Sequence, residues 1–322
     1  TAISSFSIYG SSVNSSTGRS VSRVGDTDGD GIDDLLVGAP GESEAGQSLC
    51  GAAYLLFGRN MSTVDFDLST FKTGSTGIRF IGNSSADHLG NSMGGGGDFD
   101  GDGLSDFALG TPAAAHGSAY LVFGSSNYLS FLSATPTAVP THTSPPTYLP
   151  TQARAPYITA SVNVQVPLSG PTGFQIYGST DLYSLGTSVG ACDINGDGIS
   201  DIFITSMAGF GETIIIYGQN ATTGFFDIDL NEPLPKARGF RFHGPVAKIS
   251  EGKAVACVGD LNSDGFDDLA ITGPTASSGY ALVVGTVHII FGAAKQFDDM
   301  YWGSNFVIGP STGDYCLLFF YS

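Results

Sequence analysis

The chain has 322 residues, with 46 Gly, only 12 Lys or Arg and 30 Asp or Glu, for a formal net charge of −18 and a pI near 4.2. Such an acidic surface repels phosphate and so excludes nucleic acid and anionic membrane as partners. A hydrophobic content of 41% excludes a disordered chain. The longest apolar run near either end, Cys316–Tyr321, falls far short of the roughly 20 residues a membrane span needs, so no span is expected in this segment. The start at Thr1, with no signal peptide in view, reads as a mature or excised segment.

The first element in chain order is FSIYG at Phe6–Gly10, a blade-closing type of strand with no blade before it. Four units follow, over about 11–82, 83–178, 179–244 and 245–309, and each carries the same three phrases in the same order. The first phrase is GDTDGDGIDDLLVGAP from Gly25, GDFDGDGLSDFALGTP from Gly97, CDINGDGISDIFITSM from Cys192 and GDLNSDGFDDLAITGP from Gly259. The second is AAYLLFG from Ala52, SAYLVFG from Ser118, ETIIIYG from Glu212 and TVHIIFG from Thr286. The third is GIRFIG from Gly77, GFQIYG from Gly173, GFRFHG from Gly239 and NFVIG from Asn305. The first aspartates are spaced by 72, 95 and 67 residues, and the long interval is explained by a Pro/Thr-rich insertion over 129–159. Six prolines there favour extended polyproline conformation, which suits either a surface loop or an O-glycosylated, partner-binding arm. An apolar strand over 310–322 ends the chain.

Within a unit, short β-branched and aromatic runs are bounded by Gly, Ser, Asn and Asp, with no sustained helical period. In the first unit the runs lie near Val21–Val24, Asp34–Val37, Ala52–Phe57 and Ile78–Ile81. Four antiparallel strands per repeat describe a propeller blade. The expected fold is therefore all-β, one propeller-like domain of four such repeats, either open or completed by a neighbouring chain.

Each aspartate phrase sets oxygen ligands at alternate positions. They are Asp26, Asp28, Asp30, the Ile32 carbonyl and Asp34; Asp98, Asp100, Asp102, the Leu104 carbonyl and Asp106; Asp193, Asn195, Asp197, the Ile199 carbonyl and Asp201; and Asp260, Asn262, Asp264, the Phe266 carbonyl and Asp268. So many carboxylates within nine residues repel one another without a cation, and a donor set free of His and Cys selects Ca2+. An EF-hand is excluded, because its twelfth-position Glu is replaced by Val37, Leu109, Ile204 and Ile271. The ninth-position Asp is expected to close the site. Four structural Ca2+ ions are expected, since no neighbouring acid or base offers a metal a catalytic task.

These loops, with GAP at Gly38–Pro40, GTP at Gly110–Pro112 and FG at Phe57–Gly58, Phe123–Gly124 and Phe291–Gly292, resemble the FG-GAP repeat. That is the Ca2+-binding β-propeller blade of integrin α subunits and other surface proteins. The resemblance spans nearly the whole chain outside the insertion, and it implies one Ca2+ per loop. Two departures stand out. The third unit reads TSMAG where GAP is expected, and four blades are counted where the family's propellers usually have seven.

Catalysis finds no candidate. GNSMG at Gly90 and GTSVG at Gly186 match a nucleophile pattern, but both sit at the repeat position that reads GRSVS at Gly18 and GKAVA at Gly252. The five His share no ligand spacing. Sequons at Asn14, Asn60, Asn83 and Asn220, together with the Ca2+ loops, point to an extracellular or cell-surface glycoprotein. Four Cys (Cys50, Cys192, Cys257, Cys316) allow three pairings, among which sequence cannot choose. The expected function is non-enzymatic recognition or adhesion toward an extracellular protein ligand. The alternative is self-association into a filament, head to tail, through the terminal strands.

Overall fold

A computed structural model describes residues 6–44, 46–58, 65–74, 76–113, 117–128, 163–165, 172–179, 184–207, 211–220, 225–244, 252–273, 286–294, 299–301 and 316–319. The whole insertion over 129–159, the turn after Met207, the phrase at Asn305, Asn60 and Trp302 lie outside them. Among the described residues the regular structure is β, with a short 3-10 turn at Leu68–Thr70 and no α-helix.

After β1 (Ile8–Tyr9), each of the first three units supplies five strands, and the fourth supplies four and is joined by a fifth from the 310–322 stretch. The first gives β2 (Val21–Gly25), β3 (Asp34–Ala39), β4 (Ala52–Leu56), β5 (Phe66–Asp67) and β6 (Gly77–Ile81). The second gives β7 (Ser92–Gly97), β8 (Asp106–Thr111), β9 (Ser118–Val122), β10 (Asn163–Gln165) and β11 (Gly173–Tyr177). The third gives β12 (Val189–Cys192), β13 (Asp201–Ser206), β14 (Glu212–Ile216), β15 (Ile228–Asp229) and β16 (Gly239–His243). The fourth gives β17 (Val255–Gly259), β18 (Asp268–Gly273), β19 (Thr286–Ile290) and β20 (Met300–Tyr301), and is joined by β21 (Cys316–Phe319).

Four strands of each unit form an antiparallel sheet, β2-β3-β4-β6 in the first, and so the four-stranded blade expected from the repeats is what the chain builds. In the fourth blade the outer place is held by β21, which pairs with β19. The short remaining strand crosses to the blade before it. β5 pairs in parallel with β1, β10 with β6, β15 with β11 and β20 with β16. An aspartate fixes three of these clasps: Asp65 accepts from the Ser7 N–H, Asp227 from Gln175 and Asp299 from Arg241, at 2.8, 2.9 and 2.9 Å. β1 therefore stands where a closing strand stands, and among the described residues its other edge carries no strand.

The continuous apolar runs follow from blades packing on both faces. Successive side chains of a strand point to opposite faces. Leu36 and Leu55 pack with Phe107 and Leu109 between the first and second blades, while Val37 and Tyr54 pack on the other face of the first. Ala108 and Leu121 meet Ile202 and Ile214 between the second and third, and Phe203 and Ile215 meet Leu269 and Ile271 between the third and fourth. Each fully buried Leu, Ile or Phe contributes roughly 1.5–3 kcal/mol, so these three interfaces dominate the stability.

Polar contacts set the blade spacing. The Ser20 hydroxyl donates to the Gly90 carbonyl at 2.6 Å, and the Ser92 hydroxyl donates to Gly186. The serines of the G-x-S pattern thus bind one blade to the next. The GAP-type glycines make room for that approach: a Cβ on Gly110 would lie 2.3 Å from the Gly186 carbonyl oxygen, and one on Gly38 would lie 2.1 Å from that of Gly90. Gly110→Ala is accordingly expected to cost about 3 kcal/mol or more in chemical denaturation, through forced separation of blades. An unchanged midpoint would contradict this packing.

Candidate metal centre

Each aspartate phrase lies in the turn between the first two strands of its blade, and its sharp path is held by its own carboxylates. The first-position Asp26 accepts from the N–H groups of Gly29, Asp30 and Gly31, at 2.8, 3.1 and 2.8 Å. Asp98 does the same for Gly101, Asp102 and Gly103, and Asp193 for Gly196, Asp197 and Gly198. Asp260 accepts from Asp264 and Gly265. The fifth-position Asp30, Asp102, Asp197 and Asp264 each accept from the N–H two residues on, at Ile32, Leu104, Ile199 and Phe266. Gly31, Gly103, Gly198 and Gly265 all have φ between 84° and 93°, a region open to glycine at little cost.

The ninth-position aspartates have a second task that the repeat alone does not reveal. Asp34, Asp106, Asp201 and Asp268 are at most 2% exposed. Each accepts from the N–H of the loop's second residue and from the N–H of the FG-type glycine of its own blade. The donors are Thr27 and Gly58, Phe99 and Gly124, Ile194 and Gly218, and Leu261 and Gly292, at 2.7–3.1 Å. The glycine of the FG phrase is thus tied to the aspartate loop by a buried carboxylate. The loop also grips the next blade. The Asp26 and Asp98 carbonyls accept from Ser105 and Ser200, and those of Thr27, Phe99 and Ile194 accept from Ser125, Gln219 and Ala293.

Carboxylate oxygens of Asp26, Asp28 and Asp34 lie within 4.8 Å of one another, as do those of Asp98, Asp100 and Asp106. The first, third and ninth positions therefore converge in both all-aspartate loops. The third and fourth loops place Asn195 and Asn262 at the third position on the same backbone frame, where they accept from Asp197 and Asp264. An all-oxygen, anionic donor set of this kind fits a hard divalent cation.

The electrostatics agree. Burial, followed by the charges of Asp102 and Asp98, pushes Asp100 up to about 6. Burial, with Asp197 and Asp193 adding to it, pushes Asp201 up to about 8, and Asp34, Asp106 and Asp268 are raised for the same first reason. Glu212, buried in the third blade beside Arg241 and His243, rises to about 7. With folded values above the unfolded one of about 4, the stability these carboxyls contribute without a cation is full in acid and is lost as pH rises through 6 to 8. His243, lowered by burial, acts in the opposite sense but is a single group. The melting temperature in EDTA is thus expected to fall from mildly acidic to mildly alkaline buffer. The rise on adding a divalent cation, which competes with those protons, is expected to be largest at the alkaline end. A cation effect that shrinks with rising pH would contradict this account.

The sequence reading did not pick out Asp65, Asp227 and Asp299, although the recurring signal, an aspartate seven to nine residues after the FG-type glycine, is present at all three. Of the sequons, Asn14, Asn83 and Asn220 are exposed.

Blades of four antiparallel strands with an aspartate-rich loop between the first two define an acidic-loop β-repeat protein. The FG-GAP repeat family matches residues 17–49, 185–223 and 254–290, which takes in the first, third and fourth loops. A curated relative, Integrin alpha-PS5 of Drosophila melanogaster, is 30% identical over 105 residues, covering 32% of this chain and 10% of the relative. Those three stretches are similar to the FG-GAP repeat, and the chain is similar over 105 residues to this one integrin α subunit. It spans about a tenth of the length of the curated relative it matches.

Proposed function

We propose that the chain is an extracellular or cell-surface recognition module whose blades are held together by four structural Ca2+ ions. The observation that carries the metal reading is the convergence of carboxylates, Asp34, Asp100 and Asp106 among them buried and raised, in loops that also bond the following blade. Asp26, Asp28, Asp30, Asp34 and the Ile32 carbonyl would hold the first ion, and the corresponding residues at 98–106, 193–201 and 260–268 the others. Exposed sequons at Asn14, Asn83 and Asn220 support the extracellular reading, with Asn60 a fourth acceptor. No helix among the described residues is long and apolar enough to cross a membrane. The adhesion role rests on the integrin-like repeats, and the partner would be an extracellular protein rather than a substrate, with no catalysis. Isothermal titration of the chelated protein tests the reading. Close to four Ca2+ per chain are expected, at affinities near the 0.1–1 mM of extracellular modules. A chain that takes up no Ca2+ overturns it.

A second reading is favoured by one observation, the open edge of β1. Paired among the described residues with β5 alone, that strand could complete the blade of another copy, building filaments head to tail. Electron microscopy in millimolar Ca2+ and after EDTA separates the two. Filaments that dissolve on chelation support assembly, and isolated particles support the recognition module.

A further inference from the structure

The junction between the third and fourth blades differs in chemistry from the other two. At the first two junctions a glycine precedes the metal loop and a serine of the next blade fills the space against it. A Cβ on Gly25 would lie 2.3 Å from the Ser105 hydroxyl oxygen, and one on Gly97 would lie 2.1 Å from that of Ser200. At the third junction the same two places hold Cys192 and Asp267. A second thiol joins them from β17, and the Cys192 sulfur, the Cys257 sulfur and an Asp267 carboxylate oxygen lie within 4.8 Å of one another. The GAP-type glycine is also replaced there, by Thr205, whose Cβ stands 3.0 Å from where a side chain on Gly252 would begin. The Ser188 hydroxyl no longer donates to a glycine carbonyl; it accepts from the Val255 N–H at 3.3 Å. The junction that lacks the close glycine contact is the one that holds the thiol pair.

We propose that Cys192 and Cys257 form a disulfide that joins the third blade to the fourth. The alternative pairings do not fit the topology. Cys50 is fully buried in the first blade, where its thiol donates to the Glu42 carbonyl. Cys316 lies on β21 and Cys257 on β17, at opposite edges of one sheet, three strand spacings or roughly 14 Å apart. A disulfide needs Cα atoms within about 7 Å. Cys257 is half-buried and Cys192 is 6% exposed, so an oxidant meets Cys257 first. Its thiolate attacks the disulfide of an oxidised dithiol, such as glutathione disulfide or a thiol oxidoreductase, and expels one thiol. The Cys192 sulfur then displaces the second. One protein S–S bond forms, one oxidant S–S bond is reduced, and the two protons of the cysteines leave with the oxidant thiols.

The link's presence in the native protein rests on the extracellular reading, but the pairing itself does not, and the experiment separates the two. The folded, reduced chain in Ca2+ is exposed to glutathione disulfide, free thiols are alkylated, and the digest is mapped by mass spectrometry. The expected result is one cross-linked peptide pair joining Cys192 to Cys257, with Cys50 alkylated. The oxidised chain should melt roughly 5–10 °C above the reduced one, because the bond closes a long loop. Alkylation of both cysteines, or pairing of either with Cys50 or Cys316, overturns the proposal. So does a tightly held Zn2+ that native mass spectrometry finds on the reduced chain and that blocks oxidation. If the link forms in vitro while material from the natural source carries it reduced, the pairing stands and the extracellular reading fails.

Discussion

Asp106→Ala is expected to destabilise the chain by about 4 kcal/mol in urea denaturation in EDTA, because it strands two buried N–H groups at roughly 1–3 kcal/mol each, and by about 1.4 kcal/mol more in millimolar Ca2+, where a ligand is lost as well. Those donors are Phe99, inside the second loop, and Gly124, at the end of β9, and the carboxylate holding them is 2% exposed. The neighbouring Asp102→Ala removes a carboxylate that accepts from the Leu104 N–H in the exposed turn. Its cost is expected to be about 1.4 kcal/mol with Ca2+, the value of one site of about 0.1 mM affinity at millimolar Ca2+, and only a few tenths without it. Asp30→Ala in the first loop should behave in the same way. The comparison separates the two tasks of the aspartates, scaffold and ligand, which the spacing alone merges. Equal losses for Asp102→Ala in both buffers would remove the metal from the argument, and a loss for Asp106→Ala confined to the Ca2+ buffer would remove the scaffold.

Chelation is the second large effect expected. Four sites of that affinity sum to about 6 kcal/mol, comparable with the whole stability of an ordinary domain. EDTA should therefore lower the melting temperature by roughly 10 °C, with calorimetry showing recovery on return of Ca2+ and none with Mg2+ at equal concentration. Mg2+ demands a tighter octahedral shell and gives up its water reluctantly. Identical thermograms with and without EDTA would leave these loops as acidic turns.

The repeat was legible in the sequence because its chemistry is local. Asp26 to Asp34 sit within one turn, and the buried runs at β3 and β4 are long enough to read as strands packed on both faces. What could not be read depends on contacts between units. The parallel clasp by β5, β15 and β20 is two residues long at each site, too short to show a period, and its aspartate acts on a strand some 50 to 60 residues away. The ninth aspartate reads as a ligand, but its grip on Gly58, Gly124, Gly218 and Gly292 appears only once the third strand folds back beside it. The G-x-S serines carry a pattern that resembles a nucleophile in one dimension. In three dimensions Ser20 and Ser92 meet the carbonyls of the next blade.

The bonds from each loop to its successor run in one direction only. Loop carbonyls at Asp26 and Thr27 accept from the second blade, those at Asp98 and Phe99 from the third, and that at Ile194 from the fourth. The array is thus a one-way line of nearest neighbours, in which each loop reports on the blade after it. A lesion in the third blade should loosen the second cation along with the third and spare the first. Site-by-site Ca2+ affinities would then order the blades like dominoes, and damage would spread toward the N-terminus.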